Sequence, residues 1–188
     1  MELRHLAEAE KAARKGYEIN RNDSWAHHCL CHVLQTQCRF KEAVEFMEGC
    51  SPFWDSCSSL RYSHNWSHVA LCYLEGGSSI GKVQEIYDHQ MCKELQKDDA
   101  VATDVYMDAL RLLLRFDTRD KLDQFLDRLK ILANCLTDQF YDEEVRGLTL
   151  NLMEKEYEAN VSSLQLNEEA DQCGIASIDV KAIPVLQF

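Results

Sequence analysis

Residues 24–43, SWAHHCLCHVLQTQCRFKEA, decide the fold of this chain. The spacing of their apolar residues predicts a helix over about 24–38, and Asp23 is a suitable residue for its N-cap. A second helix is predicted over about 40–49, after a connection of only a residue or two. Because such a connection is too short to span the molecule, we expect the two helices to pack antiparallel.

The same stretch carries the residues that hold such a helix pair together. Ala43 lets the two helices approach closely, and Phe40 fills the corner where they diverge. The full set of predicted packing positions is Leu30, Cys31, Leu34, Phe40 and Ala43. This arrangement resembles the tetratricopeptide pattern of antiparallel helix pairs.

Helical spacing continues along most of the chain, and seven glycines with two prolines give it few helix breakers. Further helices are predicted over about 2–20, 63–75, 80–95, 100–116, 118–134 and 138–158. Residues 49–62, with Phe53 and Trp54, are predicted to form a connection held by aromatic packing, and 76–79 a turn. We therefore predict an all-α protein with one helical repeat domain over 1–159 and a poorly specified acidic tail over 160–188.

Composition excludes several classes of function. The net charge of −12 argues against nucleic acid and against anionic membrane as partners, because both are negatively charged. No apolar run is long enough for a membrane span, and the first residues lack a signal peptide core. Nine cysteines without a CxxC pair suit a reducing compartment, so we expect a cytoplasmic protein. Cys29, Cys31, Cys38 and Cys72 are predicted to pack as small apolar residues.

Three separate motifs carry a resemblance to a known family. They are WAHH at 25–28 followed by His32, HNWSH at 64–68, and IYDH at 86–89. With these motifs the chain resembles the tetratricopeptide repeat protein 38 family, well over about 8–95 and loosely over 100–158. The resemblance implies helix pairs stacked into a short right-handed superhelix and implies little about activity. Ser67, where the family usually has an aromatic residue, and an extra residue at 76–79 depart from the pattern.

The beginning of the chain resembles the end of a repeat rather than its start. We therefore expect a fragment or shortened form that lacks the first helix of that repeat. A repeat array without a capping end exposes an apolar edge, so self-association through the N-terminal edge is a further expectation.

Four histidines are the strongest candidates for function. His28 and His32 are four residues apart on one predicted helix, and His64 and His68 are four apart on another. In a stack of repeats these helices lie side by side about 10 Å apart, so the four rings are predicted to converge on the concave face. Trp25 and Asn65 are predicted to lie on the same face.

Three interpretations of this cluster remain open. The sequence favours polar packing, in which neighbouring groups satisfy the ring nitrogens and Trp25 and Trp66 stack beside them. The second is a groove that binds a protein or peptide partner without catalysis. The third is a zinc or iron site, which is weakened because no glutamate follows His28 as it does in zinc proteases.

The leading functional hypothesis from the sequence is a non-enzymatic scaffold without a cofactor. It would bind a partner through Trp25, His28, His32, His64, Asn65 and His68. The alternative is a metal-binding protein or metal-dependent enzyme that uses the paired histidines.

Overall fold

The computed structural model of the chain describes residues 5–95, 103–119 and 121–135, and residues 147–155 apart from 148 and 153. Every regular element in these residues is helical, and no strand occurs among them. The predicted all-α class is therefore confirmed for the described residues. The predicted tail over 160–188 and most of the predicted helix over 138–158 lie outside them.

Eight helices, two 3₁₀ turns and one π-helical segment lie in the described residues up to 135, and the described residues within 147–155 are helical as well. The helices are α1 (Leu6–Ile19), α2 (Ser24–Thr36), α3 (Phe40–Cys50), α4 (Ser59–Glu75), α5 (Ile80–Ile86), α6 (Cys92–Leu95), α7 (Thr103–Asp117) and α8 (Leu126–Cys135). A 3₁₀ turn over Ser51–Phe53 follows α3, and another over Leu122–Phe125 leads into α8. The π-helical segment Tyr87–Met91 joins α5 to α6, so the helix predicted over 80–95 is continuous but contains a wider turn.

The structure differs from the sequence prediction at the start of α4. This helix begins at Ser59, about four residues before the predicted start, and Ser58 is its extended N-cap residue. Serine is a poor residue for a helix interior but a favoured one at the N-terminal boundary. Ser58 and Ser59, which fall in the predicted connection, therefore mark the beginning of the helix, and Arg61 lies in the first turn of α4.

Local signals define both ends of α2. The carboxylate of Asp23 accepts a hydrogen bond of 2.9 Å from the backbone N–H of Trp25, as predicted for the N-cap. At the other end the Cys38 N–H donates to the Gln35 carbonyl and the Arg39 N–H to the Leu34 carbonyl. This pair of bonds is a Schellman motif, and it places Cys38 in the left-handed region with a φ of 58°.

The helices pack so that α2, α4 and α7 form a row. Each of α1 to α4 contacts the next helix along the chain, while α2 also packs on α4 and α4 on α7. Four of the predicted packing positions, Leu30, Cys31, Leu34 and Ala43, are fully buried. Phe40 is half-buried against Gly76, where an added Cβ would lie 3.2 Å from the Cβ of Phe40.

Two predictions about packing are wrong. Cys29 and Cys38 are exposed, because Cys29 lies on the outer side of α2 and Cys38 lies beyond its end. In the connection over 51–58, Trp54 is fully buried as predicted, but Phe53 remains 39% exposed. Among the described residues, no helix combines the length and the apolar character that crossing a membrane requires.

Candidate metal centre

Side chains on one face of α2 lie opposite side chains on one face of α4. His28 pairs with His64 at 4.8 Å between ring centroids, and one helical turn later His32 pairs with His68 at 4.4 Å. One turn earlier, the guanidinium carbon of Arg61 lies 5.9 Å from the centre of the Trp25 ring. Because the pairs follow the same order along both helices, α2 and α4 run parallel with their turns in register.

The four imidazoles form a compact cluster. The ring centroids of His28 and His68 are 4.9 Å apart across the cluster, and those of His28 and His32 are 4.4 Å apart along α2. One nitrogen from each ring can be chosen so that all four lie within 4.8 Å of one another. A tetrahedral zinc ion with bonds of about 2.0–2.1 Å needs nitrogens about 3.3–3.4 Å apart, so metal binding would draw the four rings closer together. No other group of three or more possible ligands in the described residues comes this close together.

Gln35 fixes the orientation and the tautomer of His68. The Nε2 amide of Gln35 donates to the backbone carbonyl of His68 at 3.2 Å, so its Oε1 faces the ring. That oxygen lies 2.9 Å from Nδ1 of His68 and can only accept, which places the proton on Nδ1. The Nε2 atom of His68 therefore carries a lone pair, and it is buried with no hydrogen-bond partner.

Asp108 of α7 orients the ring of His64 in a similar way. Its Oδ2 lies 2.8 Å from Nδ1 of His64, and its Oδ1 is 3.3 Å from a guanidinium nitrogen of Arg111. The Asp108 side chain is only 4% exposed. A carboxylate that accepts from one ring nitrogen leaves the other free as a donor to a metal, which is the usual support of metal-bound histidines.

Burial favours the neutral form of three of the clustered rings, His28, His32 and His68. It lowers the pKa of His28 to about 4, with smaller contributions from the neighbouring His32 and His64 rings. The deeper burial of His68 lowers its pKa to about 2, and burial also lowers the pKa of His32. Neutral imidazole is the form that coordinates a metal, so these rings need not lose a proton first at neutral pH.

His27 precedes His28 in sequence, but its ring lies in different surroundings. Its ring is fully buried, its Nδ1 accepts from the indole N–H of Trp54 at 3.1 Å, and its Nε2 lies 2.8 Å from the Arg21 carbonyl. Tyr17 and Phe46 pack edge-on around it at 5.6 and 5.9 Å. Both nitrogens are thus satisfied by the protein, and His27 is a packing residue.

The other residues predicted to lie beside the histidines are Trp25, Asn65 and Trp66, and their surroundings differ. Trp25 is 53% exposed and meets His28 edge-on at 5.6 Å. Asn65 is buried on the neighbouring flank of α4, and its Nδ2 has no hydrogen-bond partner. Trp66 was expected beside the histidines, but it packs edge-on against Trp54 at 5.3 Å.

Sequence reasoning missed the supporting residues Gln35, Asp108 and Arg61. Gln35 follows His32 on the same helix face, so its place one turn further along could have been found from spacing. Asp108 lies 44 residues from His64 in sequence, and no local pattern links the two.

Comparison with protein-family models gives no match to this chain, and comparison with solved structures gives none. The interpretation of the histidine cluster therefore depends on its own geometry.

Proposed function

We propose that this protein binds one transition-metal ion through His28, His32, His64 and His68. The observation that carries the proposal is the convergence of four imidazoles, two of which are held by Gln35 and Asp108 with a free nitrogen available to the cluster. Imidazole suits zinc, iron, copper and nickel, and the absence of carboxylates among the four converging side chains disfavours magnesium and calcium. Zinc and iron are the ions we propose first.

If the four histidines only packed against one another, the energetic cost of their unpaired buried nitrogens would have no compensation. The buried Nε2 of His68 and Nδ1 of His28 have no hydrogen-bond partner, and each such atom typically costs about 1–3 kcal/mol. The satisfied nitrogens of His27 illustrate how this fold accommodates a histidine that only packs. A metal ion would provide the missing partner for the clustered nitrogens, which is why we prefer this interpretation to the packing one.

We also propose that the helices form a tetratricopeptide-like right-handed superhelix, with α2, α4 and α7 lining one face. The support is the parallel register of α2 and α4 and the packing of α4 on α7. A protein or peptide partner on that face is the second candidate function, favoured by the exposure of Trp25 at its rim. In that case the metal centre would organise the face rather than carry out chemistry.

The proposal is tested by metal titration of chelator-treated protein at pH 7.5. We expect one Zn²⁺ per chain, and His32→Ala should weaken binding by more than about 100-fold, the upper end of what losing an outer-shell partner costs. His89→Ala is the matched control, because His89 is exposed, lies outside the cluster and has its Nδ1 2.9 Å from the Glu85 carbonyl. Equal zinc affinity in the wild type and His32→Ala, or no binding at all, would refute the proposal.

A further inference from the structure

Arg61 lies at the edge of the histidine cluster, and no carboxylate in the described part of the chain pairs with it. Six of the described arginines pair with a carboxylate: Arg14, Arg39, Arg111, Arg115, Arg119 and Arg128. Within the described residues, Arg61 and Arg21 have no such partner, and each has its guanidinium carbon 5.9 Å from an aromatic ring centre. Arg21 lies over Tyr17, whereas Arg61 lies over Trp25, one turn from the His28–His64 pair.

The proposed centre would also be rich in positive charge. Four neutral imidazoles bring no negative charge to a divalent ion, and Asp108 is already bonded to His64 and Arg111. The ion would therefore keep most of its charge, with Arg61 nearby. An anion is the natural ligand for such a site.

An additional ligand would make the ion five-coordinate, and it would approach the four imidazoles from the solvent side. His28, His32 and His64 are half-buried and only His68 is buried, so the cluster is closed on one side and open on the other. A metal–oxygen bond and a guanidinium–oxygen hydrogen bond together span about 5 Å. Arg61 and His64 are three residues apart on α4, a rise of about 4.5 Å along the helix axis, so the two side chains begin close enough together to share such a ligand.

We propose that the metal centre takes an oxyanion ligand, the carboxylate or phosphate group of a small molecule, whose oxygen coordinates the ion while Arg61 binds it from the side of Trp25. The inference rests on the proposed function, because it requires the ion. The half-exposed indole of Trp25 forms the wall beside this ligand and holds the guanidinium of Arg61 over its face.

Cobalt-loaded protein tests the inference, because the visible spectrum of Co²⁺ reports both binding and a change of ligands. Acetate and inorganic phosphate are titrated separately in a buffer that does not coordinate metal. We expect a saturable spectral change with at least one of them, and the stronger of the two identifies the carboxylate or the phosphate class. Arg61→Gln should weaken that anion by about 10- to 100-fold.

Arg21→Gln is the matched control, since it removes an equally unpaired arginine over an aromatic ring, and it should leave anion affinity unchanged. If Arg61→Gln lowers the helical circular dichroism, Arg61→Lys replaces it, and its loss of the forked donor should still weaken the anion. A cobalt spectrum that no anion changes, or equal anion affinity after substitution of Arg61, overturns this inference alone. Failure to bind cobalt overturns the proposed function instead.

Discussion

Two neighbouring histidines on α2 have opposite surroundings. His27 points into the aromatic core, where Trp54 and the Arg21 carbonyl satisfy both of its nitrogens. His28 points toward α4, where its ring meets three other imidazoles and its Nδ1 has no partner. Burial alone does not distinguish a packing histidine from a possible ligand, because His68 of the cluster is buried as His27 is, whereas His28 is half-buried. The two kinds of histidine are distinguished by whether the protein supplies a hydrogen-bond partner to each ring nitrogen.

The largest expected effect is the contrast between a variant of the packing histidine and a variant of a proposed metal ligand. His27→Ala should lower the free energy of unfolding by about 2–4 kcal/mol, because it leaves a cavity and an unpaired indole N–H on Trp54. Zinc affinity of the folded fraction should be retained. His32→Ala should do the reverse, with little loss of metal-free stability and a large loss of affinity. Urea unfolding and zinc titration of both variants measure this, and similar profiles for the two would remove the distinction.

The next effect concerns the residue that supports the cluster from α7. Asp108→Asn should weaken zinc binding by about 10- to 100-fold, because an amide orients and polarises His64 less well than a carboxylate does. Asp88→Asn is the control, since Asp88 pairs with Arg128 at 2.6 Å. Competition with a chromophoric chelator gives both affinities. Equal losses in the two variants would mean that Asp108 has no special role at the centre.

A smaller effect is expected in the pH dependence of the metal-free protein. The pKa of His28 falls from 6.5 in the unfolded chain to about 4 in the folded chain, so below pH 6.5 the unfolded state binds more protons. Stability is therefore complete above about pH 6.5 and is lost as the pH falls toward 4. His28→Gln should reduce the slope by up to about 1.4 kcal/mol per pH unit in that range. Urea midpoints between pH 4 and 7 for the wild type and His28→Gln measure the two slopes, and equal slopes would contradict this expectation.

The smallest effect tests the end of α2, the helix that carries both kinds of histidine. Cys38 has a left-handed backbone that disfavours a side chain, so Cys38→Gly should stabilise the fold by about 1 kcal/mol. Zinc affinity should not change, because the Schellman motif keeps the same geometry. Thermal unfolding and zinc titration measure the two quantities. Lower stability in the variant would show that the thiol of Cys38 contributes contacts that outweigh the strain.

The sequence predicts helices well where the signal is local. The start of α2, its N-cap at Asp23 and the buried positions Leu30 and Leu34 all follow from spacing and capping. The sequence does not reveal the early start of α4, because its N-cap Ser58 and its first residue Ser59 also suit a loop. Cys38 was placed inside the helix, because no sequence signal other than glycine marks a left-handed residue clearly.

The candidate site was predictable in part for the same reason. The pairing of histidines four residues apart is a local property, and the stack of helix pairs brought the two pairs together. The role of His27 was also within reach, because it lies three and seven positions from Leu30 and Leu34 on the buried face. The contacts of Asp108 with His64 and of Arg61 with Trp25 depend on how distant helices dock, which local patterns do not encode.

X-ray absorption at the metal edge of the loaded protein tests the central claim most directly. The account predicts imidazole scattering from four histidines, with nitrogen at about 2.0–2.1 Å if the ion is zinc. The same spectrum of His32→Ala should show one imidazole fewer or no bound metal. Sulfur at about 2.3 Å, which would indicate cysteine ligands, or fewer than four imidazoles in the wild type would contradict the account.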